Sequence, residues 1–401
     1  MATTDGAGFV ETDVHRMMRE TAREVAANYD DEYWREISDG EREPTAFWQD
    51  CADAGFLGVT VPEEYGGEDM GILELVTIVE ELVANGCLGA EMLFVVNVVF
   101  GAVTLTQHGT DEQRDELLEP LVNGDLRFCM ALTEPNAGHN APNLDTFADE
   151  REDGSFVIDG SKQWISGVDR ADEMLLVART TPKDEVPQRT QGITLFRADP
   201  QDPAIERREL DVGIPTPERQ FELSIDGYEA AAEDVIGTKD MGLYQLFDTV
   251  NPERLVGSAG AIGVGRIALD RAVEYAKDRE VFGQPIGAHQ GIQHPIAEAH
   301  SKVEAAKLLV QKAAWLMDQV ENTEDMKRTA ELSNMAKLRA SEAGHEAADV
   351  AVQTHGGNGF SREYQVIEMW KGSRLGLVAP GSSEMMRNHI AEHALDMPRS
   401  Y

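Results

Sequence analysis

The sequence predicts an α+β protein in which one region of β-strands separates two helical regions. Apolar residues recur at spacings of three and four up to about residue 125, and the same spacing returns in longer stretches after residue 237. Between these regions lie short β-branched or aromatic runs separated by Gly, Pro, Asp and Asn. Helices segregated from strands are typical of an α+β fold rather than of alternating βαβ units. We therefore expect three domains, 1–125, 126–237 and 238–401.

The N-terminal domain contains segments with one apolar and one polar helical face. Turn residues cluster between these segments, for example in 61–71, and 123–125 ends the helical region. The predicted helices are Thr12–Asn28, Pro44–Ala54, Ile72–Ala84 and Thr110–Val122.

The middle domain is predicted to be all-β, and the C-terminal domain is predicted to consist of long helices. The predicted strands are Arg127–Thr133, Ser155–Ile158, Met174–Arg179, Gly192–Arg197, Ile205–Leu210 and Gln220–Ile225. The predicted C-terminal helices are Arg254–Arg279, His294–Asn322 and Asp325–Thr354. Small residues between Gly257 and Gly265 do not form GxGxxG after a strand, which argues against a Rossmann fingerprint and favours close helix packing.

The charge balance is strongly acidic, with 73 acidic and 35 basic residues and a net charge of −38. Such a chain repels polyanions, so we expect neither nucleic-acid binding nor docking to anionic lipid. The acidic residues are spread along the chain, which favours a solvated surface over one acidic docking face for a basic partner. Because salt screens such self-repulsion, we expect a halophilic protein.

The sequence also carries expectations about location and metals. We find no signal peptide, and the longest apolar segments, Met92–Phe100 and Leu255–Val264, are shorter than the roughly 20 residues that cross a bilayer. We therefore expect a cytoplasmic protein without membrane insertion. The three cysteines, Cys51, Cys87 and Cys129, have neither metal-ligand nor disulfide spacing, so no metal is expected.

Four separated segments combine turn residues with groups that can bind a polar ring edge or a phosphate. Residues 131–138, ALTEPNAG, leave the first predicted strand in a turn with a hydroxyl and free backbone N–H groups. Residues 164–167, WISG, place an aromatic residue and a hydroxyl at a strand end. Residues 279–290 contain an arginine, whose planar fork suits pyrophosphate, in a Gly/Pro loop after a helix. Residues 353–360, QTHGGNGF, end a helix in a glycine-rich loop.

In this order and spacing the four segments resemble the acyl-CoA dehydrogenase family, and the resemblance covers nearly the whole chain. It implies a β-barrel-like middle domain and a C-terminal four-helix bundle. It also implies FAD as cofactor, an acyl-CoA thioester as substrate and electron-transfer flavoprotein as electron acceptor. The implied assembly is a homotetramer built as a dimer of dimers.

The resemblance assigns roles to individual residues. The FAD contacts within one chain would be Met130, Leu132, Thr133, Gly138, Trp164, Ile165, Ser166, Ser382 and Glu384. The residues that would bind the FAD of a neighbouring subunit are Arg279, Gln290, Gln353, Gly356 and Gly357, and Phe282 would also bind the cofactor. The substrate contacts would be His139, Arg254 and Gly381, and His139 stands where the family usually has Ser or Thr, which points to an unusual acyl group.

The catalytic base is the main departure from the usual family pattern. Many members carry a glutamate before a Gly-Thr-Ser segment near the C-terminus, and Pro380 occupies that position here. Members resembling isovaleryl- and long-chain acyl-CoA dehydrogenases take the base from a Glu-Arg-Leu segment, which makes Glu253 the candidate. The alternative is a structural Glu253 at a helix start, with Asn251 as N-cap and Pro252 at the first helical position.

Two other functions on the same fold stay open. A flavin-dependent monooxygenase would lack the C-terminal glutamate, although the 279–290 segment fits a tightly held FAD better. A non-catalytic or reductase-like flavoprotein would bind FAD and CoA esters without dehydrogenating them.

Overall fold

The N-terminal domain is helical in the computed structural model, which describes residues 11–400. Its helices are α1 (Asp13–Ala26), α2 (Asp31–Ser38), α3 (Thr45–Asp53), α4 (Ile72–Ala84), α5 (Ala90–Phe94), α6 (Thr104–His108) and α7 (Asp111–Val122). The four predicted helices are confirmed as α1, α3, α4 and α7. The helix α2 and the helical segment that contains α5 and α6 were not predicted.

Side-chain caps explain why two of the predicted helices begin where they do. The Thr12 hydroxyl accepts a hydrogen bond from the His15 N–H at the start of α1 (3.3 Å). At the start of α7, the Thr110 hydroxyl accepts from the Gln113 N–H, and the Gln113 amide oxygen accepts from the Thr110 N–H. Each arrangement satisfies backbone donors that have no partner inside the helix.

The helices α5 and α6 are joined by a π-helical segment, Val95–Val103, into one helix over Ala90–His108. It is the one helix among the described residues that is long and apolar enough to cross a membrane, and 78% of its most apolar window is buried inside the fold. The expectation that this apolar segment is too short was wrong, because the helix extends beyond Met92–Phe100 on both sides. Its burial is that of a central core helix.

The middle domain is confirmed as β. Its strands are β1 (Phe128–Ala131), β2 (Phe147–Glu150), β3 (Phe156–Ser166), β4 (Glu173–Arg179), β5 (Ile193–Ala198), β6 (Ile205–Leu210), β7 (Gln220–Ala230) and β8 (Val235–Ile236). They form one sheet in the order β6-β7-β3-β2-β4-β5-β8, and β1 pairs in parallel with β4. β6 and β8 end this order, so the sheet is not closed by hydrogen bonds over residues 11–400. The strand β2 was not predicted, and the predicted Ser155–Ile158 strand is the first part of the longer β3.

The C-terminal domain consists of three long helices with shorter ones packed against them. They are α8 (Gly242–Asp278), α9 (Gln290–Met317), α10 (Thr323–His355), α11 (Val366–Ser373) and α12 (Ser383–His389). The strands β9 (Glu280–Val281) and β10 (Gln284–Pro285) form a hairpin between α8 and α9. The helix α8 packs along α10 and α4, so it contacts both helical domains.

The helix α8 begins at Gly242, well before the predicted start. Pro252 lies inside this 37-residue helix and is buried. The alternative in which Asn251 caps the helix and Pro252 is its first residue is therefore wrong. Pro252 lacks a backbone N–H, which removes one helical hydrogen bond, but the buried residues of α8 on both sides of it keep the helix continuous.

Glycines let the helices of the C-terminal domain approach closely, as the sequence indicated. A Cβ added at Gly263 of α8 would lie 2.6 Å from the Val83 Cβ of α4. A Cβ added at Gly344 of α10 would lie 2.3 Å from the Ala261 carbonyl oxygen of α8. Both distances are too short for a side chain, so these positions require glycine.

A buried ionic cluster fixes the N-terminal domain to the C-terminal helices. Glu80 and Glu81 of α4 accept hydrogen bonds from Arg19 (2.7 Å to Glu81), Arg266 (2.6 Å to Glu80) and Lys307 (2.7 Å to Glu80). Although burial acts to raise it, Arg266 and Arg19 hold the pKa of Glu81 at about 2. The cluster joins α1, α4, α8 and α9, and so holds the two domains around the middle of α8.

Candidate active site

Glu253 lies in the interior of α8, and its side chain is partly exposed. Burial of its carboxyl group raises its pKa to about 7, against the opposing effects of Arg254 and Lys337. Burial likewise lowers the pKa of the neighbouring Arg254 guanidinium, whose Nη1 donates to the Asn251 side-chain oxygen (2.8 Å). A carboxylate with a pKa near neutral pH in a partly open position is suited to proton transfer.

The loop 379–382 before α12 lies beside this part of α8. Lys337 of α10 is buried, and its Nζ donates to the Gly381 carbonyl oxygen (2.5 Å). A Cβ added at Gly257, one turn after Glu253, would lie 3.7 Å from Pro380 Cδ. The structure therefore brings Glu253 near the loop that contains Pro380. Sequence analysis missed Lys337, because its only signal is a lysine on an otherwise small-residue face of α10.

His139 connects the first motif to this loop. Its Nε2 accepts a hydrogen bond from the Ser382 backbone N–H (2.9 Å). The Ser382 hydroxyl accepts from the Met385 N–H and so caps α12. Glu384 is exposed in the first turn of α12 and pairs with Arg387 (3.7 Å). The predicted residues His139, Gly381 and Ser382 thus lie together.

The turn that contains Thr133 is held in place by β3. The Gln163 N–H donates to the Thr133 carbonyl oxygen (2.8 Å). Lys162 is fully buried and donates to the Leu132 carbonyl oxygen (3.1 Å) and to the Glu134 carboxylate (2.9 Å). Sequence analysis missed this Lys162–Glu134 pair, whose signal was a charged residue at an inward position of a strand.

The end of β3 carries an exposed aromatic side chain at one of the predicted cofactor positions. The Trp164 side chain is 54% exposed and has a positive φ of 63°, an uncommon conformation for a bulky residue. Gly138 has open space around it, so the nearby backbone can be approached closely. Met130, Leu132, Thr133 and Ser166 are partly buried around these positions. An exposed indole can stack on a flat aromatic cofactor.

Ile165, unlike its neighbours Trp164 and Ser166, does not present its side chain to a ligand. Its side chain is buried in the core, which follows from the alternation of side chains along a strand. Only its backbone is available to a ligand. The Ser166 hydroxyl, on the other side of Ile165, is bonded to the Gln220 side chain (2.9 Å from the Gln220 amide nitrogen).

The remaining predicted residues lie at the other end of the C-terminal helices. All six are exposed: Arg279, Phe282, Gln290, Gln353, Gly356 and Gly357. Phe282 is 93% exposed at the tip of the β9–β10 hairpin. The 353–360 loop packs on the last turn of α8, where the His355 ring stacks on Tyr275 (4.3 Å between ring centroids) and the Asn358 amide donates to the Tyr275 hydroxyl (3.0 Å).

The residues around Glu253 and the six exposed residues near Arg279 are far apart within one chain. Arg279 follows Glu253 by 26 positions along α8, which at 1.5 Å per residue separates them by roughly 39 Å. The structure therefore brings Glu253, the 379–382 loop and His139 together, but it does not bring Arg279 to them.

Within residues 11–400, no three His, Cys, Asp or Glu side chains lie together in a way that could hold a metal ion. The three cysteines are buried and free.

Family models match all three domains of the chain. They are described as the N-terminal, middle and C-terminal domains of acyl-CoA dehydrogenase, and they match residues 12–125, 129–226 and 240–395.

Individual relatives and a solved structure agree with these models. The chain is 39% identical to acyl-CoA dehydrogenase FadE12 of Mycobacterium tuberculosis, over 98% of this chain and 99% of the relative. It is 30% identical to 3-(aryl)acrylate reductase of Clostridium sporogenes, over 96% and 99%. The structure of butyryl-CoA dehydrogenase from Megasphaera elsdenii superposes with a TM-score of 0.88 and 26% identity, over 97% and 100%. The chain therefore belongs to the acyl-CoA dehydrogenase family of FAD-dependent oxidoreductases.

Proposed function

We propose that the chain is an FAD-dependent dehydrogenase that converts an acyl-CoA thioester into the 2-enoyl-CoA, with Glu253 as the catalytic base. The observation that carries this proposal is the position of Glu253 inside α8, with a pKa of about 7, beside a loop in which Pro380 stands at the family's usual base position. A structural glutamate at a helix start would have a lowered pKa instead.

In the proposed reaction, the substrate loses a proton from the α-carbon and a hydride from the β-carbon. The electron pair of the α C–H bond forms the new C=C bond, and the proton goes to the Glu253 carboxylate. FAD, when bound, accepts the β-hydrogen together with its electron pair. Because the pKa of Glu253 is near 7, a substantial fraction of the carboxyl group is ionised at neutral pH and able to take the proton.

The residues that would hold FAD come both from the middle domain and from the exposed end of the C-terminal helices. The Thr133 turn, Trp164 and Ser166 are proposed to bind the ring. Arg279 and the Gln353–Gly357 loop are proposed to bind the FAD of a neighbouring subunit, since their separation of roughly 39 Å from Glu253 is too large for one cofactor to reach both within one chain. This supports a homo-oligomer, which we propose to be a tetramer of two dimers.

The remaining parts of the proposal rest on the family resemblance and on composition. We propose electron-transfer flavoprotein as the electron acceptor and the cytoplasm as the location. We attribute the net charge of −38 to a salt-rich environment.

Anaerobic flavin spectroscopy tests the proposal. The protein is titrated in high salt with a panel of acyl-CoA esters, and bleaching of the oxidised flavin band by at least one ester is expected. Glu253→Gln should abolish bleaching while retaining FAD. Glu274→Gln is the matched control, because Glu274 is exposed on the same helix and should bleach like the wild type.

The outcomes separate the remaining functions. Bleaching that survives in Glu253→Gln would keep the enzyme class and exclude Glu253 as base. Reduced flavin that reacts productively with oxygen and an organic substrate, without any bleaching by esters, would favour the monooxygenase.

The reverse reaction, reduction of an enoyl-CoA, is a second candidate. It is favoured by the similarity to the Clostridium sporogenes 3-(aryl)acrylate reductase. Protonated Glu253 would then return the α-proton. Reoxidation of pre-reduced enzyme by an enoyl-CoA that is much faster than reduction by the matching acyl-CoA would favour this direction.

A further inference from the structure

Glu91, in the first turn of α5, has a carboxyl oxygen that the proposed catalysis does not use. Its Oε2 is buried and makes no hydrogen bond within residues 11–400. Burial raises the pKa of this carboxyl group to about 6, although the backbone N–H groups of Glu91 and Gly89 oppose the shift. Buried acceptors without a donor are rare in folded proteins, because leaving one unpaired is costly.

The Glu91 side chain lies directly against α8. A Cβ added at Gly260 would lie 2.5 Å from the Glu91 Cγ, so the carboxylate arm occupies the space that a side chain at position 260 would need. Gly260 follows Glu253 by seven positions, which returns it to the same face of the helix. Glu91 and Glu253 therefore lie on the same side of α8, at levels separated along its axis by about two turns or roughly 10 Å.

Gly257 lies between them on this face. A Cβ added there would contact only Pro380 Cδ, at 3.7 Å. The helix surface at Gly257 therefore carries no side chain, the apolar proline ring lies beside it, and Val256, the other residue of this face before Gly260, is buried. An extended apolar chain from Glu253 to Glu91 would pass Gly257 and Pro380.

We propose that Glu91 is a specificity-determining residue that selects acyl groups carrying a hydroxyl at their far end. This inference rests on the proposed function, since it places the reacting carbons at Glu253. A hydroxyl supplies the one donor that Oε2 lacks. A cationic end would bring a second charge out of water, and a plain alkyl end would leave the carboxyl oxygen unpaired.

The test compares matched acyl-CoA esters of several chain lengths, with and without a terminal hydroxyl. Their kcat/KM values are measured by anaerobic flavin reduction at a pH at which Glu91 is ionised. At the best chain length the wild type should prefer the hydroxylated ester by about 10- to 100-fold, the range for one hydrogen bond to a charged group. Glu91→Leu should remove or reverse this preference, and Glu91→Gln should keep part of it, because the amide oxygen still accepts.

A binding measurement gives a second readout that does not depend on turnover. Calorimetry with Glu253→Gln holoenzyme should show tighter binding of the hydroxylated ester. Adding Glu91→Leu to that variant should abolish the difference.

The possible failures are distinguishable. Equal use of both esters by the wild type, or an undiminished preference in Glu91→Leu, would overturn the role of Glu91 and leave the dehydrogenase proposal intact. If esters of neither series bleached the flavin, the proposed function would fall and this inference with it. Reduction of Glu91→Leu by the unsubstituted esters establishes that this variant is folded. If Glu91→Leu loses its flavin, Glu91→Gln is used in its place: a weaker preference for the hydroxylated ester than in the wild type supports the role of Glu91, and an undiminished preference overturns it.

Discussion

Replacing Lys162 with methionine should destabilise the protein and loosen the turn that carries Thr133. The Lys162 ammonium group is fully buried and bonded to Glu134 (2.9 Å) and to the Leu132 carbonyl oxygen (3.1 Å). Burial lowers the pKa of Lys162 to about 8, against the effect of Glu134. Burial also acts to raise the pKa of Glu134, but Lys162 and the Asp145 N–H hold it below its ordinary value. Both groups are thus charged at neutral pH.

The size of the effect follows from leaving the Glu134 carboxylate buried without its cation. Breaking a buried pair in this way costs about 3 to 5 kcal/mol. With an unfolding entropy of roughly 2.1 cal/mol/K per residue over 401 residues, this lowers Tm by roughly 4 to 6 °C. The assay is calorimetric melting of the holoenzyme at fixed salt and FAD concentrations, because bound cofactor also shifts Tm.

Two further variants make this prediction refutable. Glu134→Gln combined with Lys162→Met should recover much of the lost Tm, because no unpaired charge then remains. Lys302→Met, which removes an exposed pair with Glu346, should leave Tm unchanged within error. The reasoning would be refuted if Lys162→Met left Tm within about 1 °C of the wild type, or if the double variant melted below the single one.

Three further predictions concern the proposed site, and a fourth concerns the packing of α8 against α4. The rate of flavin reduction should rise with pH through about 7, because Glu253 must lose its proton to act as base, and a rate that is flat between about pH 6 and 8 would contradict this. Lys337→Met should move that rise to higher pH, since Lys337 opposes the upward shift in the pKa of Glu253; an unmoved profile would exclude this electrostatic role. Hybrid oligomers co-expressed from Glu253→Gln and Arg279→Gln chains should recover activity that neither variant has alone. In each pair of subunits, one site then combines an intact Glu253 from one chain with an intact Arg279 from the other. Inactive hybrids would mean that both residues act in the site of the same subunit. Gly263→Ala should lower Tm, since its Cβ would lie 2.6 Å from the Val83 Cβ, and an unchanged Tm in calorimetry would mean that α4 and α8 separate at little cost.

The order of helical and β regions could be predicted from the sequence because it depends on local periodicity. Helices such as α1 and α7 could be predicted from their N-terminal caps and their single apolar face. The helix over Ala90–His108 was missed because it is apolar on nearly all sides, so it lacks the polar face that marks a surface helix. The short strand β2 was missed because its four residues, Phe147–Glu150, carry too little pattern.

The site could be predicted only in part. The turn at Thr133 and the loop at Arg279 were predicted from residue types that suit a flavin nucleotide. The sequence could not decide between a base and a helix cap at Glu253, because Asn-Pro-Glu is also a well-formed helix start. That choice depends on whether the residues from Gly242 onward are helical, which tertiary packing determines.

The sequence by itself determined the fold class and the family resemblance, because both depend on residue identity and local spacing. Only the tertiary structure decided that Glu253 is internal to α8, that Lys337 and His139 hold the C-terminal loop beside it, and that Glu91 faces the same side of the helix. The physical reason is that a pKa, a desolvated acceptor and an open helix face depend on which distant segments exclude water from a side chain. Local spacing does not encode that exclusion.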